Sequence, residues 1–140
     1  MEKRFTLKNR GMRIVGIKSI VDDHPRPTVI LLHGFTGSKN EAHDLFVKTS
    51  DRLVSRGINA VRFDFRFGKT EANQGESEGT IADMTPSKWI SDARRITTMV
   101  SGMEYADPSR IALIGLSMGG LTAICEAAND ERIAAVSDCS

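Results

Sequence analysis

The sequence predicts an α/β fold, a mostly parallel sheet flanked by helices on both faces. Apolar runs of strand length alternate along the chain with segments of helical period. Two of those runs, Thr28–Leu32 and Ile111–Ile114, are almost wholly apolar, as strands covered on both faces are. Each breaks abruptly into a glycine-rich turn, at Gly34 and at Gly115. Ligands of such sheets bind beyond the carboxyl ends of the strands, where both turns lie.

The elements follow in order. Residues Phe5 to Val21 hold two extended segments around the turn Asn9-Arg10-Gly11, expected to form an antiparallel pair. Asp22 to Pro27 reads as a loop, and Thr28–Leu32 as a buried strand. Ser38 or Asn40 is placed to cap a helix from Glu41 to Arg56, with Leu45, Phe46, Leu53 and Val54 inward and Gly57 ending it. A strand from Ile58 to Phe63 precedes a long polar loop, Asp64 to Met84. Thr85 then caps a helix with Pro86 at its first position. Trp89, Ala93, Ile96, Val100 and Met103 recur at spacings of four and three, one stripe for packing on a sheet. Asp92, Arg94 and Arg95 read as the solvated face of that helix. A strand from Arg110, a helix carrying Leu121, Ile124, Cys125 and Ala128, and a strand from Ile133 to Val136 complete the chain.

Composition narrows the function classes. At 140 residues the chain reads as one domain, 1–140, long enough to bury a core. Lys and Arg number 19 against 18 Asp and Glu, so no net field points to nucleic acid or a membrane. The charged N-terminus has no apolar stretch behind it, so no signal peptide is expected. Cys125 and Cys139 lack C-x-x-C spacing and read as free thiols of a cytoplasmic protein. No two histidines or cysteines have metal-ligand spacing, so neither a metal nor a cofactor is expected.

The chemistry concentrates in Ile111-Ala112-Leu113-Ile114-Gly115-Leu116-Ser117-Met118-Gly119-Gly120. An apolar strand running into G-x-S-x-G is the pattern of a strand–turn–helix nucleophile elbow. To lift a hydroxyl clear of the sheet, Ser117 must hold a strained backbone, and its neighbours two before and two after then crowd. The helix that follows aims its first N–H groups where negative charge develops. Acyl transfer needs two such donors. Met118 N–H is one, and Phe35 N–H, after His33-Gly34, is the natural second.

With His33-Gly34-Phe35 after one strand and Gly115-Leu116-Ser117-Met118-Gly119-Gly120 after a later one, the chain resembles the α/β-hydrolases. It is similar in particular to feruloyl or cinnamoyl carboxylesterases and to serine aminopeptidase-like hydrolases, from about Gly11 onward. The resemblance implies that Ser117 is the nucleophile and that Phe35 and Met118 form the oxyanion hole. It implies a small-molecule ester substrate and an acyl-serine intermediate.

Two departures stand out. The family often has Asp-x-Arg-Gly-x-Gly-x-Ser after the strand that follows the first helix. Here Asp64-Phe65-Arg66 runs into Phe67-Gly68-Lys69-Thr70, and Gly75-Glu76-Ser77-Glu78-Gly79 looks like the motif's tail displaced by an insertion. The family's triad also runs Ser, then Asp or Glu, then His. No histidine follows Ser117, and the last strand corresponds to the sixth of the family fold, so the expectation is an incomplete α/β-hydrolase, inactive alone. Its apolar last strand would be an open sheet edge prone to self-association.

Within the chain, His33 is the histidine nearest the elbow, and its two readings are a base and a loop-holding residue. Asp138, at the end of the strand beside the elbow, reads either as an acid orienting a base or as a turn aspartate. Phe65 and Phe67 read as pocket lining or as packing. Two other function classes compete. A nucleotide-binding module is suggested by Gly115-x-Ser117-x-x-Gly120 with Asp138 about twenty residues on. The middle glycine is missing, however, and a side chain there holds the backbone off a pyrophosphate. The other is a non-catalytic remnant or interaction domain.

Overall fold

The computed structural model describes residues 1–139. Six strands form one sheet: β1 (Glu2–Asn9), β2 (Met12–Ser19), β3 (Arg26–Leu32), β4 (Asn59–Phe63), β5 (Ala106–Leu116) and β6 (Ile133–Cys139). Their spatial order is β1-β2-β4-β3-β5-β6. β1–β2 and β2–β4 are antiparallel, while β4–β3, β3–β5 and β5–β6 are parallel. The helices are α1 (Leu45–Ser55), α2 (Pro86–Ser101) and α3 (Met118–Ala128).

β3 shows why the central strands are apolar throughout. Ile30 and Leu32 face a core shared with α2 and α3, including Phe63, Trp89, Ile96, Leu113 and Ala123. Val29 and Leu31 face the other way, onto Phe46 of α1. Helices therefore cover both faces. The α2 stripe forms as its spacing predicts: Trp89, Ala93, Ile96 and Val100 are fully buried. Thr85 Oγ1 accepts the Lys88 N–H at 3.4 Å, with Pro86 in the first turn.

Several expectations are corrected. The helix expected from Glu41 begins only at Leu45, after a 3₁₀ turn over Ala42–Asp44. Its two candidate caps are engaged elsewhere: Ser38 Oγ accepts the Asn40 N–H at 3.3 Å, and Asn40 Oδ1 accepts from Arg62 at 2.9 Å. β3 starts at Arg26 and β5 at Ala106, each earlier than its apolar run suggested. Asp92 is not on a solvated face. It is fully buried, and its Oδ1 accepts from Arg66 Nε at 2.6 Å and Asn9 Nδ2 at 2.8 Å. On α3 the buried residues are Gly119, Gly120, Thr122, Ala123 and Glu126, while Leu121 and Ile124 point outward.

Candidate active site

β5 delivers Ser117 to the sheet's carboxyl edge, and α3 begins at the next residue. Ser117 has φ 55° and ψ −119°, a conformation a non-glycine residue rarely holds. Three contacts enforce it. A Cβ on Gly115 would overlap the backbone of Gly119, one on Gly119 the carbonyls of Leu32 and His33, and one on Gly120 the carboxylate of Asp138. The turn is thus wedged between the ends of β3 and β6. Ser117 N–H donates to the Cys139 carbonyl at 3.0 Å, and its own carbonyl accepts from Gly120 at 2.8 Å and Leu121 at 3.1 Å. The hydroxyl is exposed and has no hydrogen-bond partner among the described residues.

The neighbouring turn, after β3, begins with His33. The Phe65 N–H donates to His33 Nε2 at 3.1 Å, so the ring proton sits on Nδ1, which donates to the Gly34 carbonyl at 2.8 Å. Burial pushes the imidazole pKa below its ordinary value, favouring this neutral form. The ring is packed edge-on against Phe65 and Trp89. With both nitrogens engaged, His33 holds the loop and has no lone pair to offer Ser117. His24 and His43 are exposed, and His43 stands in the 3₁₀ turn beside the cleft residue Ala42.

Phe35 and Met118 follow as the sequence places them, one on each turn. Phe35 is 46% exposed. Among the described residues neither backbone N–H donates to a protein acceptor. Asp138 stands across from Gly115 in the β5–β6 register, with its carboxylate against Gly120.

The loop after β4 is a built wall. Asp64 accepts from Lys39 N at 2.7 Å, Lys39 Nζ at 2.9 Å and Glu76 N at 3.0 Å. Lys39 also pairs with Glu76 at 2.6 Å, which holds the Glu76 carboxyl below its ordinary pKa. Ser77 Oγ donates to the Asp64 carbonyl at 2.5 Å and accepts the Val15 N–H at 2.9 Å. Between Lys69 and Gly75, which lie side by side, the chain makes an excursion. Asn73 pins that excursion: its Nδ2 donates to Gly68 O at 2.7 Å and Gly37 O at 2.9 Å, and its Oδ1 accepts from Thr70 and Gly75. Phe65 stacks on Trp89 in the core, and Phe67 lies under Lys88 and Arg66, so neither lines the site.

A cleft of about 500 Å³ results, bounded by Phe35, Gly37, Glu41, Asn73 and Ser117 among others. A second hollow, about 540 Å³, lies at the other end of the sheet against Met1, Ile20 and Tyr105, away from Ser117. The sequence reading missed Glu41, Lys39 and Asn73. Glu41 accepts the Gly34 N–H at 2.9 Å with a backbone of φ 57° and ψ 173°. Nothing in the spacing of these three residues distinguishes them from loop polar groups. Among the described residues no cluster of three or more His, Cys, Asp or Glu is placed for a metal, and no helix is long and apolar enough to cross a membrane.

This sheet order, with a serine-bearing turn between a central strand and its helix, defines the α/β-hydrolase fold. The esterase Pf2001 of Pyrococcus furiosus superposes with a TM-score of 0.77 at 27% identity, covering 97% of this chain and 50% of that one. Est1E from Butyrivibrio proteoclasticus, solved with ferulic acid bound, shares the fold with a TM-score of 0.81 at 24% identity, covering 94% of this chain and 50% of that one. The quorum-quenching protein AidA of Acinetobacter baumannii (strain MDR-ZJ06) is 30% identical over 111 residues, 79% of this chain and 34% of that protein. The chain spans about a third of the length of the curated relatives it matches. The model of the serine aminopeptidase family, S33, matches residues 23–136, and the chain belongs to that family of hydrolases.

Proposed function

We propose that the protein is a serine hydrolase of carboxylic esters working through an acyl-Ser117 intermediate. The observation that carries the reading is Ser117 itself, exposed in a cleft on a φ 55° turn that only glycine neighbours permit. In the first step Ser117 Oγ attacks the ester carbonyl, its proton passes to a base, and the carbonyl oxygen becomes an oxyanion. Phe35 N–H and Met118 N–H are the donors assigned to that oxyanion, each worth about 2.7–4 kcal/mol in comparable sites. The intermediate collapses, the alcohol leaves with a proton, and water then releases the acid. Amides are the less favoured substrates, because resonance makes their carbonyl less electrophilic and the amine leaves only once it is protonated.

With both ring nitrogens engaged, His33 offers no lone pair to Ser117, and no base for Ser117 is identified among the described residues. The isolated chain is expected to turn esters over at only about 10³–10⁴ above water, the level left when a triad loses its histidine. The test is labelling by a fluorophosphonate with and without free imidazole as a surrogate base. Slow labelling at Ser117, hastened by imidazole and abolished in Ser117→Ala, is expected. Labelling at another residue, or saturable NAD or ATP binding in its place, would sink the hydrolase reading.

A further inference from the structure

The cleft that holds Ser117 contains one ionisable side chain among its described lining residues, Glu41. The other walls are backbone, Ser38, Thr36, Asn73 and apolar groups, with the exposed ring of Phe35 alongside. Glu41 Oε2 accepts the Gly34 N–H at 2.9 Å, while Oε1 receives no protein donor among the described residues. Among the described residues no cation neutralises it: the nearby Lys39 is committed to Asp64 and Glu76. The chain also strains to keep it there. Glu41, His43 and Asp44 have φ of 57°, 56° and 55°, each of which costs a non-glycine residue free energy. Gly37 makes room, since a Cβ at that position would overlap Glu41 Oε1.

We propose that Glu41 sets the charge preference of the cleft, so that favoured ester substrates carry an alkylammonium group held between its carboxylate and the Phe35 ring. A carboxylate and a half-exposed phenyl ring lining one cleft are a setting that attracts organic cations through Coulomb and cation–π terms together. The inference rests on Ser117 being the nucleophile. Given that role, an unpaired carboxylate on the same loop as the Phe35 N–H opposes the build-up of an oxyanion. A cationic group on the substrate offsets this opposition and an anionic one compounds it. The cleft therefore discriminates by charge.

The test is a binding titration on the Ser117→Ala chain, followed by backbone amide shifts so that no turnover is needed. The probes are butyrylcholine, its uncharged carbon isostere 3,3-dimethylbutyl butyrate, and an anionic succinate monoester. At low salt the cation should bind about three- to tenfold more tightly than the isostere, with shifts at Gly34 and Gly37, and the anion more weakly than both. Glu41→Gln should bring the cation and isostere level. Equal affinities in the presence of Glu41, an unchanged preference in Glu41→Gln, or no binding of either would overturn the proposal. Should Glu41→Gln not fold, a salt series on the Ser117→Ala chain decides, because a preference indifferent to salt is not electrostatic. Failure of phosphonate labelling would remove the nucleophile reading and leave this charge measurement standing, so the two failures are separable.

Discussion

The Asn73 amide donates to the Gly37 carbonyl at 2.9 Å, tying an excursion of the chain after β4 to the turn after β3. The same nitrogen bonds Gly68, and Asn73 Oδ1 holds Thr70 and Gly75, so one side chain fixes both ends of the excursion and the wall it meets. Asn73→Ala leaves those groups without their partner. It should destabilise the fold by about 1–3 kcal/mol, and faster amide exchange should be confined to the 34–37 and 69–75 segments. Exchange that accelerates evenly over the chain would contradict a local staple.

Strain at Ser117 separates two substitutions that chemistry alone treats alike. Both Ser117→Ala and Ser117→Gly remove the hydroxyl. Only glycine adopts φ 55° without steric cost. Relief of strain of about 1–3 kcal/mol, less the entropy glycine loses on folding, leaves Ser117→Gly more stable than Ser117→Ala by about 1 kcal/mol. Denaturant unfolding of the two variants measures the difference, and equal midpoints would show that the turn is unstrained.

Two buried groups give the stability curve opposite slopes. Burial lowers the His33 pKa from 6.5, so the unfolded chain takes up the proton first on acidification. That contribution is complete above pH 6.5 and is lost as the pH falls below it. Urea unfolding from pH 8 downward should show this acid limb.

Glu126, on α3, behaves in reverse. It is fully buried, with Arg94 Nε on Oε1 at 3.2 Å and no donor to Oε2. Burial, and then the neighbouring Asp130 carboxylate, push its pKa from 4.5 up to about 7. The folded state holds that proton more tightly, so its contribution to stability is full below pH 4.5 and falls away as the pH rises to about 7. Glu126→Gln should remove this alkaline loss and leave the His33 limb intact. A variant with the same slope as the parent between pH 5 and 7 would refute the assignment.

The outer face of α3 and β6 presents Leu121, Ile124 and Val136, each between 42% and 52% exposed. Among the described residues β6 is paired only with β5. Concentration-dependent self-association is expected, and Ile124→Glu with Val136→Lys should suppress it in sedimentation velocity. An already monodisperse parent chain would remove the basis for this expectation.

Where local chemistry and tertiary demand agree, the sequence is legible. The α2 helix is such a place, since Thr85, Pro86 and the Trp89–Val100 stripe have no competing partners. The apolar halves of β3 and β5 are legible because helices cover them on both sides, whereas their starts at Arg26 and Ala106 are not. The start of α1 is not, because Ser38 and Asn40 bond across the loop to Asn40 N and Arg62 rather than to the helix. Asp92 misleads for a similar reason, its partner Arg66 arriving from a distant loop. On α3, apolar residues surround the helix, and periodicity alone does not tell its buried face from its outer one. The Ser117 turn is legible because the crowding of Gly115 against Gly119 is local and shows in the glycine spacing, although β3 and β6 add the contacts on Gly119 and Gly120. Glu41 and Asn73 are not, since their partners are backbone groups from other segments.

Ser117 N–H ends on the carbonyl of Cys139, in the last strand of the sheet. During synthesis, every other part of the turn emerges before that carbonyl does. Until β6 docks, the Ser117 N–H lacks this acceptor and the turn is held from the β3 side only. The hydrogen bond that completes the Ser117 turn thus forms only once β6 has paired with β5, which makes the local shape of the turn a product of long-range assembly.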